Sequence, residues 1–241
     1  MKKIICLMLV FVSSSYAQNI WGVDAGIDQA LAEFAEDFTE TGIPGSYPED
    51  AWTALSVNDS GGSNIPGSAY WIRSTIGYSQ GAYWNGTTPV SSPSQPNGIA
   101  IFDSDYMDNN GNTGAFGTGS SPAPHLGELI SPRIDLTLLS GQRMAVKFFS
   151  FYRNFQISSL SVSVSTDDGF TWGNPIDYRS LLGELTQGIV VVEFPEDELT
   201  GVTDLTQSRI KFTFSGDYYF AIIDDVSISV SDLIYESGFE Q

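Results

Sequence analysis

Cysteine and histidine are almost missing from this chain: Cys6 and His125 are the only ones in 241 residues. Cys6 sits in the first few residues, too early to follow a convincing lipobox. No disulfide framework can therefore stabilise the fold, and zinc or iron sites built from thiolates and imidazoles are excluded. Nucleophilic catalysis through a Ser-His-Asp or Cys-His arrangement would have to use His125, in SPAPHLGEL, and no G-x-S-x-G, H-E-x-x-H or glycine-rich phosphate loop accompanies it. His125 is read as a loop residue, no catalytic residue is assigned, and the chain is not expected to be an enzyme. Basic residues are also scarce, 10 against 29 acids. Nucleic acid and anionic membrane surfaces are poor partners for such a chain. No apolar run is long enough to span a bilayer as a helix.

What is present begins with MKKIICLMLVFVSSSYAQ: two lysines, a short apolar run and a small-x-small ending at Ser15, Tyr16 and Ala17. That is the pattern of a secretory signal peptide over residues 1–17, cut after Ala17, and it predicts an exported protein, secreted to the medium or delivered to the periplasm. Removal of Lys2 and Lys3 would take the formal charge from −19 to −21. Such a surface favours cations, although charge of this kind also simply keeps an exported protein soluble.

Charged residues make up only 16%, and apolar residues alternate with serine, threonine, glycine and asparagine more often than they recur at helical spacing. The pattern predicts an all-β sandwich. The clearest strands are LSVSVS at 160–165, with Leu160, Val162 and Val164 inward, and RIKFTFS at 209–215, with Ile210, Phe212 and Phe214 inward. Others are expected within 68–75, 97–104, 143–153 and 188–195. IDQALAEFAEDF carries the one helical pattern, with Ile27, Ala30, Leu31 and Phe34 on one side, unless its end already begins the first strand. Residues 56–67 and 103–124 read as long polar loops, the kind that is usually functional or mobile. No linker divides the chain.

Three features carry candidate chemistry. STDDGFTW at 165–172 matches the Asp-box pattern S-x-D-x-G-x-T-W and resembles the turn repeated in sialidases. It occurs once, so its role is read as structural: Asp167 accepting backbone N–H groups, Gly169 supplying positive φ and Trp172 packing beneath the hairpin. DSDYMDNNGNTG presents Asp103, Asp105 and Asp108 but lacks the spacing and final glutamate of an EF-hand, and is expected to be solvated. Tyr70, Trp71, Tyr83 and Trp84 are either a sugar-stacking platform, with Trp71, Tyr83 and Trp84 as its ligand-binding residues, or ordinary packing.

YYFAIIDDVSISV, at 218–230, places two aspartates inside an apolar strand. Alternation puts Phe220, Ile222, Asp224, Val226, Ile228 and Val230 on one face, so Asp224 is expected to point with the core and Asp225 away from it. A buried carboxylate must be offset by a backbone turn, an arginine or a cation. Calcium, a hard ion plentiful outside cells, is the natural cation.

Several motifs in order resemble a family: EDFTETGIPG, Trp52 followed by Asp59, Trp71, NGIAIFDSD, ELISPRIDL, SVSVSTDDGFTW and FAIIDDVSI. Together they are similar to the bacterial cleaved-adhesin, or choice-of-anchor J, domain, related to MAM domains. The resemblance covers residues 34–230, after a lead-in at 18–33 and before a tail at 231–241 whose YESGFEQ resembles endings of some exported bacterial proteins. It implies a jelly-roll sandwich of two antiparallel sheets, used for adhesion or attached to hydrolases, with structural calcium where the first and last strands meet. Carried over by position, the metal ligands are Asp37, Asp59 and Asp224. Thr39 stands where the family often has glutamate, and an insertion separates Trp52 from Trp71. The expected function is a calcium-stabilised monomeric module that binds a glycan or a surface protein. The alternative is a secreted hydrolase, or a domain attached to one, acting on polysaccharide or peptide.

Overall fold

The structure, a computed structural model, describes residues 17–19, 47–49, 51–58, 69–84, 86–109, 111–115, 125–153, 158–179, 185–199, 201–216 and 219–231. The signal sequence before Ala17, the helix expected from Ile27, and Asp37 and Asp59 lie outside these residues.

Among the described residues eleven strands form two antiparallel sheets. They are β1 (Ala17–Asn19), β2 (Thr53–Asn58), β3 (Ile72–Ser74), β4 (Ile99–Asp103), β5 (His125–Ile130), β6 (Met144–Arg153), β7 (Ser159–Ser165), β8 (Ile176–Asp177), β9 (Leu185–Phe194), β10 (Arg209–Gly216) and β11 (Phe220–Val230). One sheet runs β3-β4-β11-β6-β9, with β1 on the far part of β11; the other runs β2-β5-β10-β7-β8. The pairings β4–β11, β5–β10, β6–β9 and β7–β8 nest inside one another along the chain. That nesting is a long hairpin rolled across two sheets, which is the jelly roll the sequence predicts.

The core lies between the sheets. Leu160, Val162 and Val164 from β7 and Ile210, Phe212 and Phe214 from β10 meet Val146, Phe148 and Val192 from the opposing sheet. The alternation read from the sequence holds in both strands. Trp52 stacks on Phe212 at 6.4 Å between centroids, and Phe148 meets the same ring edge-on at 5.0 Å.

In β11 the alternation fails, for a local reason. Its register against β6 shifts between Asp224 and Ser227, and Asp225 has φ 52°. This bulge adds one residue and swaps the faces. Ala221 and Ile223 before it, and Val226 and Ile228 after it, face the core between the sheets. Phe220 and Ile222 face the other way, into a second cluster with Val90, Ile99, Ile101 and Phe149. Asp224 is wholly buried, as expected. The expectation that it points with the main core is corrected: it lies on the outer face of the six-stranded sheet, covered by the segment 75–97.

The polar stretch after β4 is also corrected. Residues Ser104–Asp108 form a five-residue helix, α1, in which Ser104, Asp105 and Asp108 are buried. His125 opens β5 and is 3% exposed rather than lying in a loop.

Candidate functional site

The outer face of the six-stranded sheet is organised in rows by strand register. Ile72, Ile101, Ile222, Phe151 and Gln187 form one row. Asp224, Phe149 and Ile189 form the next, followed by Ser227, Lys147 and Val191. The segment 75–97 lies over the β4 side of the first two rows. Val90 fills the cluster with Ile99 and Phe149, Ser91 N–H donates to the Gln187 side chain at 3.1 Å, and Trp84 packs against the same cluster. Beyond it, Gln187 and Lys147 are exposed, and Ile189 and Val191 are 53% and 41% exposed. Two branched aliphatic residues at such exposure on one sheet face leave a solvent-facing apolar strip.

The strip is bordered by aromatic rings. Tyr78 stacks on Trp84, centroids 6.3 Å apart and planes 24° from parallel. Trp84 in turn leans on Phe151 at 4.9 Å and Phe220 at 5.3 Å. Tyr83 packs on Tyr219 at 4.7 Å. Tyr78, Tyr83, Trp84 and Phe151 are half-buried. Of the expected ligand-binding residues, Trp84 therefore lies against Tyr78, Phe151 and Phe220, Tyr83 packs separately on Tyr219, and Trp71 is apart from both. Trp71 is wholly enclosed, edge-on to Phe102 at 5.8 Å, with its indole N–H donating to the Gly127 carbonyl at 3.3 Å. It has no exposed face for a sugar, and the expectation for it is corrected to core packing. Tyr78 and Phe151 were missed; the spacing of Tyr78, Tyr83 and Trp84 in one aromatic segment was the available signal.

Asp224 is held by short-range donors. The Ser92 and Ser94 hydroxyls donate to its two oxygens, the latter at 2.8 Å, and Asp225 N–H donates at 2.9 Å. Burial nonetheless pushes its carboxyl up to about 6, with these bonds opposing the shift. Beside it, Asp225 Oδ2 is buried with no hydrogen-bond partner among the described residues. Among those residues no group of three or more acids, histidines or cysteines is placed to hold a metal.

α1 carries more buried charge. Asp103, at its start, accepts from Ser79 Oγ at 2.6 Å and Gln80 N–H at 2.7 Å. Burial raises its carboxyl to about 6, and the carboxyl of Asp105 is raised for the same reason. Ser104 Oγ lies 2.8 Å from His125 Nδ1, and His125 Nε2 lies 3.3 Å from Asp108 Oδ1. The order serine, histidine, aspartate is that of a hydrolase triad, but Ser104 has no exposed surface and its hydroxyl also reaches the Gly216 carbonyl. A nucleophile sealed in this way ties α1 to β5 and β10 and offers nothing to a substrate.

The Asp-box turn is structural in its contacts. Asp167 accepts from Thr171 N–H at 2.8 Å and its hydroxyl at 2.6 Å, and Gly169 has φ 84°. Asp168 takes Arg133 and Arg209, and Arg209, wholly buried, also donates to the carbonyls of Tyr47, Pro48 and Ser131. Trp172 lies half-buried beneath the Lys211 ammonium, 4.4 Å from the ring centroid.

No protein-family pattern matches the chain. None of the curated proteins matches it either. Solved structures similar to it include the K1 cleaved adhesin domain of Lys-gingipain from Porphyromonas gingivalis W83. That likeness has 16% identity and a TM-score of 0.39, and covers 90% of this chain and 99% of that one. TmCBM61 in complex with β-1,4-galactotriose is similar at 11% identity and TM-score 0.36, covering 76% and 91%. The CBM27-1 module of Caldicellulosiruptor saccharolyticus, in complex with mannohexaose, has 15% identity and TM-score 0.30, covering 65% and 80%.

Proposed function

We propose that this protein is an exported, non-catalytic binding module of the cleaved-adhesin kind that takes an uncharged glycan on the outer face of its six-stranded sheet. The observation that carries this reading is the Tyr78–Trp84 stack standing beside the open strip of Ile189 and Val191. Sugars present apolar C–H faces and a rim of hydroxyls. Rings and branched aliphatics suit the first, and Gln187, Lys147 and Ser227 along the same rows suit the second. A formal charge of −19 opposes polyanionic chains, which points to neutral saccharides.

Calcium belongs to the same reading as a structural ion held by Asp224 with Asp37 and Asp59. What supports it is donor chemistry: the Asp224 carboxylate, two serine hydroxyls and the unpaired Asp225 Oδ2 are all hard oxygens.

The test is titration calorimetry with neutral oligosaccharides, β-1,4-galactotriose, mannohexaose and xylohexaose among them. Tyr78→Ala and Ile189→Asp should each lower the affinity of whichever saccharide binds by about tenfold or more. Affinity untouched by both variants would remove this face as the site, and a chain that binds no saccharide would remove the glycan.

A further inference from the structure

Residues 79–84 belong to no strand, so their backbone N–H groups need partners elsewhere. Of four consecutive amides, three end on two carboxylates and the fourth on a hydroxyl bonded to one of them. Gln80 N–H donates to Asp103 Oδ2 at 2.7 Å, and Tyr83 N–H donates to Asp105 Oδ2 at 3.0 Å. Ala82 N–H also donates to Asp105. Gly81 N–H donates at 3.0 Å to Ser79 Oγ, whose own proton goes to Asp103 Oδ1 at 2.6 Å. The approach is so close that a Cβ on Gly81 would collide with the Asp105 carboxylate. Asp105 is wholly buried and Asp103 is 2% exposed, and α1 is fixed from behind by Asp105 N–H bonded to the Tyr219 carbonyl at 3.0 Å.

We propose that Asp103 and Asp105 are the positioning residues of the 78–84 segment, holding its rings on the sheet by gathering its amides around two buried carboxylates. The anchoring stands on its own contacts; that the rings so held are a ligand surface rests on the glycan reading. A carboxylate is needed because all of its lone pairs accept, whereas an asparagine turns an NH₂ group toward amides that are themselves donors. The segment then behaves as a flap fastened from below, its outer rings free to meet a ligand and its backbone unable to leave without uncovering both acids.

Hydrogen exchange on the full exported chain tests this. In Asp105→Asn and in Asp103→Asn, amides 80–83 should exchange at least tenfold faster, while the β4 and β11 amides keep their protection. Gly81→Ala should produce the same local release with both charges intact. For any saccharide the unaltered chain binds, affinity should fall by about tenfold in these variants. Unchanged exchange at 80–83 would overturn the proposal. So would loss of protection throughout the sheets, which would assign the acids to the global fold, or faster exchange with saccharide affinity retained. A chain that binds no saccharide but shows the local release would keep the anchoring and remove only the glycan.

Discussion

At the scale of single residues, buried charge is offset in two different ways. Asp224 and Asp103 are surrounded by hydroxyl and amide donors, and their carboxyls are pushed up to about 6 by burial. Asp168 has its carboxyl lowered, because the Arg133 guanidinium hydrogen-bonds it and Arg209 adds a second cation. Arg209 was hard to recognise beforehand: alternation along β10 turns it away from Ile210, Phe212 and Phe214, toward the surface. It is buried because Tyr47 and Pro48 come across the sheet to accept its protons. Truncating it takes the Arg209 donor from three carbonyls and leaves Asp168 with Arg133 alone. Arg209→Ala should cost about 3–5 kcal/mol in urea melts, and a loss under 1 kcal/mol would show the network to be dispensable.

At the scale of elements, the bulge in β11 decides more than any other local feature. Without the extra residue at Asp225, Asp224, Val226 and Ile228 would share one face, as simple alternation says: either Asp224 would face the main core or Val226 and Ile228 would face outward. Positive φ costs a non-glycine residue, and more so a β-branched one. Asp225→Gly should therefore leave stability unchanged or slightly raised, and Asp225→Val should lower it by about 1–3 kcal/mol in urea melts. Equal stability of the two variants would show that the positive φ at Asp225 does not constrain the bulge. β9 and β10 were legible because each buries every second residue, β7 because its apolar residues alternate with serines, and β6 as a nearly continuous apolar run between turn residues. α1 was not legible: one turn reading SDYMD is too short to show a helical apolar stripe, and its buried polar groups are covered by distant segments, Asp105 by residues 81–83 and Ser104 and Asp108 by His125.

At the scale of the whole molecule, two groups of aspartates oppose each other as pH changes. An unfolded aspartate loses its proton near 3.8, while folded Asp103 and Asp224 hold theirs to about 6. The folded state therefore binds more protons in that interval, and stability falls as pH rises through it, by on the order of 3 kcal/mol for each acid. Asp168, Asp177 and Asp167 have lowered carboxyls and act in the opposite sense, their contributions being lost as pH falls below about 4. Urea melts should accordingly show greatest stability between about pH 4 and 5, with Asp224→Asn removing part of the decline above it. A maximum above pH 7 would contradict the raised carboxyls. Calcium bound at Asp224 would stabilise the ionised form, so the ion should raise the melting temperature at pH 7.5 and EDTA should reverse the gain. Identical melting with calcium and with EDTA would end the metal role.

By itself the sequence determined the sandwich, its principal strands and the burial of one acid near its end, because alternation, turn residues and the solvation cost of charge are local properties of the chain. Only the tertiary structure decided which face Asp224 occupies, that Trp71 is core while Tyr78 is not, and that Asp103 and Asp105 hold the ring segment. Those outcomes depend on a one-residue bulge and on contacts between segments about twenty to more than a hundred residues apart, to which no periodicity refers.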